Sequence, residues 1–333
     1  MQILICGGAG FIGSAFIRNY LENHNDSQIT NLDILTIGSN LENLKEIEQN
    51  QNYNFIKDDI RNEIKINELV KNSDVIINFA AESHVDRSIA NPKPFIETNI
   101  LGTYSILESI RKYDKQFIHV STDEIYGDAY EQHSFDENSQ INPNNPYAAT
   151  KAAADHLVTS YYKTYGINCI TTRCTNNFGP HQFPEKLMPK AIIRSIKNLK
   201  VPLYGDGSQI RSWIYVYDHV QAIESLILNG KPGHVYNITA YEEITNKTVV
   251  EKILDILEKS YDMIEYVEDR PGHDKRYSID SSKIENQIGW KAKYKFDDAI
   301  KQTVNWYLQN QSWWEPLIDE KTLHPQPWTL SWK

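Results

Sequence analysis

The segment that leaves this chain least freedom is its opening one, MQILICGGAGFIGS. A short apolar run feeds directly into Gly7, Gly10 and Gly13, and FIGSAFIRNYLENH then carries apolar side chains at helical spacing. Glycines let the turn be tight and let the backbone approach a pyrophosphate. The helix start, Phe11 and Ile12, supplies free N–H groups and the positive end of the helix dipole. A glycine-rich turn alone is weak evidence. Here Asp33 follows the last glycine by about 20 residues, the spacing at which a carboxylate ends the second strand and accepts from ribose hydroxyls. It repels a 2′-phosphate, and no arginine follows it closely, so NAD is favoured over NADP. Ile34, Leu35 and Thr36 continue the same strand end and are read with it. Asp33 as an ordinary turn residue is the alternative.

Beyond this segment, apolar runs and helical patterns alternate. QITNLDI, YNFIKDD, SDVIINFAA and QFIHVST read as short buried strands, and FIETNILGTYSILESIRKY as a helix. The alternation predicts an α/β fold of the Rossmann type, a doubly wound parallel sheet with helices on both faces. KDDI closes the third strand. An Asp there can bond an adenine amino group, which makes Asp59 and Ile60 adenine-pocket candidates; a simple strand-to-helix cap explains Asp59 as well. FAAESH closes the fourth strand with Ala80, Ala81 and Ser83, small enough for a cofactor to lie against the backbone.

After residue 175 the pattern loosens into shorter elements joined by the Pro/Gly-rich loops NNFGPHQFP, VPLYGDGSQ and EDRPGHDKR. Such loops often carry binding residues. Residues 1–175 are therefore expected to form the dinucleotide-binding domain, with later segments returning to it, and 176–333 mainly a smaller α/β substrate-binding lobe. KTVVEKILDILEKS is expected as an amphipathic helix of that lobe, and KLMPKAIIRSIKNL as a helix near the sheet. The tail tryptophans (Trp306, Trp313, Trp314, Trp328, Trp332) read as packing against the body.

The charge balance sets further bounds. A net charge of −10 repels nucleic acid, and no basic stripe offsets it. An anionic small substrate gains nothing from that field and needs local Arg and Lys groups. No apolar run is long enough for a membrane span, and the N-terminus lacks the basic region of a signal peptide. Cys6, Cys169 and Cys174 are too few and too scattered for a disulfide framework or a metal site. A reduced, cytoplasmic setting is expected.

Two constellations carry chemistry. Tyr147 and Lys151 stand four apart at the start of the Ala-rich YAATKAAADHLVTSYYKTYG, a strong helix former, and so share a face. A nearby ammonium favours the ionised phenol, which makes Tyr147 a candidate base near neutral pH. On spacing alone, a surface helix with an accidental Tyr is the competing explanation. The fifth strand ends in FIHVSTDEIYG, where Thr122, Asp123 and Glu124 leave its carboxyl end together. Open α/β sheets place their ligands at that edge. Adjacent carboxylates there can hold different protonation states, one acid and one base, unless they are only an exposed acidic turn. A simple alcohol dehydrogenase needs Tyr, Lys and a hydroxyl; the extra acid pair points to elimination of water.

GGAGFIGS, FAAESHVDRSI, ETNILGTYSILE, STDEIYG, NPYAATKAAADH, RCTNNFGPHQFPEKLMP, LYGDGSQIRSWIYVYDH and EDRPGHDKRYSID run in order over nearly the whole chain. Together they resemble the motifs of the dTDP-glucose 4,6-dehydratases, a nucleotide-sugar branch of the extended short-chain dehydrogenase/reductases. The run TDE separates these from the otherwise similar sugar epimerases, and DRPGHDKRY points to the thymidylate-linked branch. The resemblance implies that Tyr147 takes the proton of the 4-hydroxyl while C4 gives a hydride to NAD, with Thr122 bonding that oxygen and Lys151 tuning the phenol. Glu124 then removes the C5 proton, Asp123 protonates the departing C6 hydroxyl, and the hydride returns to C6. The product is the 4-keto-6-deoxy sugar nucleotide of deoxysugar biosynthesis.

The resemblance also assigns Ser83, Asn176, Lys186, Leu187, Pro202, Tyr204, Arg211, Asn246, Arg270 and His273 to the substrate, here dTDP-glucose, and Thr98 and Asn177 to the cofactor. Arg211 is the best diphosphate ligand, because a guanidinium can fork two phosphate oxygens. Tyr241-Glu242 stands where members often carry a Gly/His/Asn-type turn, and Ala149-Thr150 where Ser is common. A homodimer is implied, through the helix around 99–111 and the one starting at Tyr147. A 4,6-dehydratase acting on a UDP-, CDP- or amino-sugar nucleotide, a 4-epimerase or decarboxylase, and a non-catalytic NAD-binding protein are the other readings.

Overall fold

The computed structural model describes residues 1–130 and 132–332. Its strands are β1 (Gln2–Cys6), β2 (Gln28–Asp33), β3 (Tyr53–Lys57), β4 (Val75–Asn78), β5 (Gln116–Thr122), β6 (Cys169–Cys174), β7 (Asn176–Phe178), β8 (Val201–Tyr204), β9 (Ile210–Tyr215), β10 (Val235–Ile238), β11 (Glu242–Thr245) and β12 (Ile264–Val267). Seven of them form one parallel sheet in the order β3-β2-β1-β4-β5-β6-β10. All five apolar runs read as strands lie in it. The doubly wound α/β fold is therefore as expected.

The period-two alternation of a strand explains why both faces are covered. Ile3 and Ile5 of β1 point into one apolar layer with Phe16 and Ile17 of the helix Phe11–Asn23 and Val220 and Ile223 of the helix Val216–Asn229. Leu4 and Cys6 point into the opposite layer with Ile66, Ile106, Ile110 and Val158, from the helices Glu63–Lys71, Thr103–Tyr113 and Pro146–Tyr165. Strand order reverses between β1 and β4, so the crossovers part there and open a crevice at the carboxyl ends of the strands. The seventh strand comes from residues well past 175, as does the helix Ser282–Ile288 beside it.

The remaining elements build a smaller lobe around β9, which pairs parallel with β7 and antiparallel with β11, and around the parallel pair β8 and β12. The expected helix near KLMPKAIIRSIKNL is Leu187–Ile196, but it does not pack on the large sheet. Ile192 and Ile193 face Val249, Val250 and Ile253 of the helix Asn246–Ile256 and Ile300 and Val304 of Phe296–Gln309. Its apolar stripe is matched by two amphipathic helices of the lobe, while both faces of the sheet are already covered. Trp314 closes this core at 1% exposure, with Trp306 and Trp313 against it.

One local departure from plain helix positions the site. The segment expected as one helix contains a π-helical stretch, Ile96–Gly102, before Thr103–Tyr113. It presents Asn99, whose Oδ1 accepts from Glu82 N (2.9 Å) and whose Nδ2 donates to Glu82 O (3.1 Å) and Thr150 Oγ1 (2.9 Å). The β4 loop is thus tied to the helix that carries Tyr147. Thr150 answers the departure from Ser by using its hydroxyl in this clasp.

Candidate active site

The dinucleotide end begins where Gly7 takes β1 out of the sheet at φ +81°. A Cβ on Gly7 would lie 2.5 Å from Ala80 N, and one on Gly13 2.5 Å from Gly7 O. Those two glycines are demanded by the protein's own backbone. Gly10 differs: a Cβ there would meet only Gly7 O, at 3.3 Å, so the room it leaves is on the cleft side. Gly10 also caps the helix Phe11–Asn23 without a side-chain bond, which leaves first-turn N–H groups, Phe11 and Ile12 among them, at the cleft without a capping acceptor. That donor array and that open space fit a pyrophosphate.

Asp33 ends β2 buried at 5% exposure and accepts from Ala9 N (3.0 Å) and Leu35 N (2.8 Å). Burial raises its pKa, and these backbone donors oppose the rise. Ile34, Thr36, Asp59, Ile60, Ala80, Ala81, Ser83 and Thr98 line the same cavity of about 300 Å³ with the three glycines, Tyr147 and Lys151. Leu35 does not line it: its backbone N–H orients Asp33 while its φ of +61° turns the residue aside. Asp59 reaches the cavity, but its carboxylate is engaged by Arg61 (2.6 Å to Nη2, 2.8 Å to N), and the cap of the helix Glu63–Lys71 is Asn62. Asn177 also lines the cavity, yet its amide donates to Thr175 O (2.9 Å) and its oxygen meets His219 Nδ1 (2.9 Å).

Asn145 starts the helix Pro146–Tyr165, which carries Tyr147 and Lys151. Its side chain accepts from Ala148 N, and Pro146 fills the first turn, where its missing N–H is harmless. Tyr147 and Lys151 face the end of β5 from this helix. Lys151 Nζ donates to Val120 O at 2.7 Å, and burial pulls its pKa down to about 8. The phenol of Tyr147 is held well above its ordinary value, first by burial and then by the charge of Glu124. The expected ionisation of Tyr147 by Lys151 is therefore not a property of the chain alone, because the Lys151 ammonium is bound to a strand carbonyl while burial, then the charge of Glu124, holds the phenol's proton.

Thr122, Asp123 and Glu124 leave β5 into a short 3-10 turn, with Thr122 Oγ1 accepting from Glu124 N (3.3 Å). Asp123 is 2% exposed, and burial, followed by the charge of Glu124, keeps its carboxyl well above the usual range. Thr122 Oγ1 lies 3.3 Å from Asp123 Oδ1, while Oδ2 has no hydrogen-bond partner among the described residues. Glu124 is half-buried and accepts from Tyr277 OH (3.3 Å) and Asn145 Nδ2 (3.5 Å). One carboxyl is thus a buried acid and the other an acceptor at the cavity wall.

A second cavity of about 150 Å³ continues from the first, sharing Ser83, Glu124, Asn176, Glu185 and Lys186. It is lined by Leu187, Pro202, Tyr204, Arg211, Asn246, Arg270 and His273, the remaining substrate candidates. Arg211, Arg270, Lys186 and Lys190 bring four cationic groups here beside the carboxylates of Asp86, Glu124 and Glu185, the local cations that an anionic substrate needs in a chain of net negative charge. Arg211 lies over the Tyr277 ring (4.1 Å) and donates to the carbonyls of Ile210 (2.8 Å) and Asp274 (2.9 Å), which fixes its fork and leaves donors over. Arg270 Nη1 pairs with Asp86 (2.8 Å), and its buried Nε, like Asn176 Oδ1 and Asn246 Oδ1, has no partner among the described residues. Tyr241 adopts φ +59° in place of a glycine-type turn, its hydroxyl held by Ser281 N (3.1 Å) and Oγ (3.0 Å).

Sequence reasoning missed the charged frame between the cavities. Arg87 bridges Glu82 (2.9 Å) and Glu185 (3.1 Å), and Asp86 bonds both Arg270 and Tyr204 OH (2.7 Å). The runs FAAESHVDRSI and FPEKLMP contain these residues, but charged side chains in a loop read as solvated. Tyr277, bonded to Asp274 (2.6 Å) as well as to Glu124, was equally silent.

The chain matches the family model for GDP-mannose 4,6 dehydratase over residues 4–303. It is 45% identical over 341 residues to the dTDP-glucose 4,6-dehydratase of Salmonella typhimurium, covering 94% of each protein. Among solved structures, a dTDP-glucose 4,6-dehydratase from Bacillus anthracis in complex with NAD superposes with a TM-score of 0.90 at 43% identity, covering 96% of this chain and 100% of that one. The Streptomyces venezuelae enzyme of the same name, also solved with NAD, gives 0.93 at 40% identity with the same coverage. On its sequence, its fold and the groups at its cleft, the chain belongs to the dTDP-glucose 4,6-dehydratase family.

Proposed function

We propose that this chain converts dTDP-glucose to dTDP-4-keto-6-deoxyglucose and water, with NAD held throughout. One observation carries this reading: Asp123 is a buried carboxyl beside Glu124 and Tyr147, its Oδ2 without a partner among the described residues and its pKa raised by burial, at a cleft with a dinucleotide cradle at one end and a pocket lined by Arg211, Arg270, Lys186 and Lys190 at the other. Oxidation or epimerisation at C4 leaves such an acid without a task; loss of the C6 hydroxyl requires one.

When bound, NAD supplies a cationic ring that accepts a hydride from C4 and hands one back to C6. It is held by the first-turn N–H groups after Gly10 and by Asp33. Tyr147 takes the proton of the 4-hydroxyl. Its phenol stays protonated in the chain alone, so its ionisation is coupled to positive charge in the filled cleft. Lys151 holds the phenol's helix against β5, and Thr122 bonds the sugar oxygen. With C4 a ketone, the C5 proton becomes acidic and Glu124 removes it. Asp123 gives its proton to the departing C6 hydroxyl, so that water leaves, and Glu124 then returns a proton to C5. Arg211, Arg270 and Lys186 hold the diphosphate, and the second cavity takes the nucleoside.

The purified chain is to be incubated with dTDP-glucose and no added nicotinamide. The expected product absorbs in base and is lighter by one water. A product of unchanged mass, loss of carbon dioxide, or NAD binding without turnover on any nucleotide sugar each contradicts the reading.

The assembly is a homodimer in this account, through the π-helical stretch and the two helices on which Leu101, Tyr104, Tyr162 and Tyr165 stand exposed. Exposed aromatic and aliphatic side chains on packed helices favour burial against a second copy. No helix among the described residues is long and apolar enough to cross a membrane. The free, buried Cys6, Cys169 and Cys174 support a reducing, cytoplasmic setting.

A further inference from the structure

The C-terminal tail reads from the sequence as packing, yet it does not pack at random. It runs behind the wall of the second cavity, where three of its backbone carbonyls accept from side chains on or next to the helices Leu187–Ile196 and Val85–Ala90. Lys190 Nζ donates to His324 O (3.2 Å) and Arg194 Nη1 to Leu323 O (2.7 Å), both from the helix Leu187–Ile196. Asn91 Nδ2 donates to Trp332 O (3.1 Å), and the Arg87 guanidinium sits 5.8 Å from the Trp332 ring centroid. Both contacts are made at the helix Val85–Ala90, which also carries Asp86. Trp332 Nε1 closes back on Pro327 O (2.8 Å), and Pro327 is buried. Between these anchors, Trp328 meets Tyr204 edge-on, with ring centroids 4.7 Å apart and planes at 86°.

Tyr204 in turn donates to Asp86 Oδ2 (2.7 Å), and Asp86 Oδ1 accepts from Arg270 Nη1 (2.8 Å). Trp328 thus stands at one end of a chain of contacts whose other end is a buried guanidinium with an unpartnered Nε at the cavity. The tail also fixes the helix from which Asp86 projects. An aromatic edge contact and a charge-assisted pair both constrain direction as well as distance. Loosening Trp328 lets the Tyr204 ring turn, and the orientation of Arg270 is lost with it.

We propose that the tail is a strap, and that Trp328 is a positioning residue which, through Tyr204 and Asp86, sets the Arg270 side chain for the nucleoside diphosphate. Trp328 touches none of the groups assigned to the chemistry, so it acts on binding and not on turnover. The inference rests on the assignment of the second cavity to the nucleotide end of the substrate.

The test uses the full chain carrying Trp328→Ala or Trp328→Phe, with dTDP binding followed by calorimetry and turnover of dTDP-glucose measured in parallel. Trp328→Ala is expected to raise Kd for dTDP and KM by about tenfold, the scale of a lost aromatic contact, with kcat and bound NAD unchanged. Trp328→Phe is expected to recover most of the loss. Trp332→Ala frees the end of the strap without touching the cavity; it is expected to weaken dTDP in the same direction by a smaller factor, and it carries the test should Trp328→Ala not fold. Unchanged Kd and KM in the folded variants, or a fall in kcat at constant KM, overturns the proposal. A wild-type chain that fails to bind dTDP sinks the functional reading itself, a result distinct from these.

Discussion

Replacing Asp123 by Asn keeps shape and burial but removes the proton that the account assigns to the C6 oxygen. The side chain is 2% exposed, its Oδ2 lacks a partner among the described residues, and burial, then the charge of Glu124, raises its pKa and so favours the protonated form. Loss of a positioned general acid slows its step by about 10²–10⁴-fold. Dehydration should fall by that factor, read from the base-absorbing product. The earlier oxidation at C4 should survive, and the quenched mixture should contain a 4-keto-glucose nucleotide that has not lost water. The same substitution has a consequence for stability with a definite sign. A carboxyl whose folded pKa is raised contributes stability that is fully present below its unfolded pKa and lost as pH rises through the folded value. Each pH unit over which the folded chain keeps this proton and the unfolded chain does not removes about 1.4 kcal/mol. Asn does not titrate, so Asp123→Asn should melt above the wild type near neutral pH, and the gap should close as pH falls toward about 4. A dehydration rate within about threefold of wild type would refute the assignment of the acid. A melting difference that does not change with pH would refute the buried protonated state.

Glu124→Gln should also oxidise C4 and then stall, leaving C5 hydrogen unexchanged with heavy water; exchange at the wild-type rate removes Glu124 as the C5 base. Tyr147→Phe should lose activity by about 10²–10⁴-fold while copurifying with NAD as the wild type does, and substantial residual turnover reassigns the first base. Gly10→Val should lose bound NAD, at some cost in melting temperature because even its Cβ presses on the Gly7 carbonyl oxygen at 3.3 Å; a folded variant that retains NAD on gel filtration would show that the cradle lies elsewhere. Leu101→Glu with Tyr104→Glu should turn a dimer into a monomer by light scattering, and a wild type that is already monomeric contradicts the proposed face.

The parts of the site that were legible from residue pattern alone share one property: each lies within a single local element, whereas the second-cavity residues came only from the family resemblance. Gly7, Gly10 and Gly13 sit in one strand-turn-helix, Asp33 at a strand end, Thr122 to Glu124 at another, and Tyr147 and Lys151 on one helix face. Local period and turn chemistry suffice for all of these. The pairing within the charged frame was not legible, because Asp86 and Arg270 are 184 positions apart and a charged residue in the sequence carries no mark of burial. The placement of the helix Leu187–Ile196 failed for a related reason: an amphipathic stripe says that a face is buried, not which partner buries it. Tyr147 shows the limit in chemistry. Its spacing from Lys151 was read correctly, but the direction of its titration depends on Glu124, Asp123 and burial, which only the assembled site brings together.

The central claim is that the hydride removed from C4 comes back to C6 of the same sugar. dTDP-glucose carrying deuterium at C4, given to the purified chain without added nicotinamide, tests it in one spectrum. The expected product is a 4-keto-6-deoxy sugar nucleotide that has lost water and carries the deuterium at C6. Deuterium released to solvent, or retained at C4 in a product of unchanged mass, would contradict it.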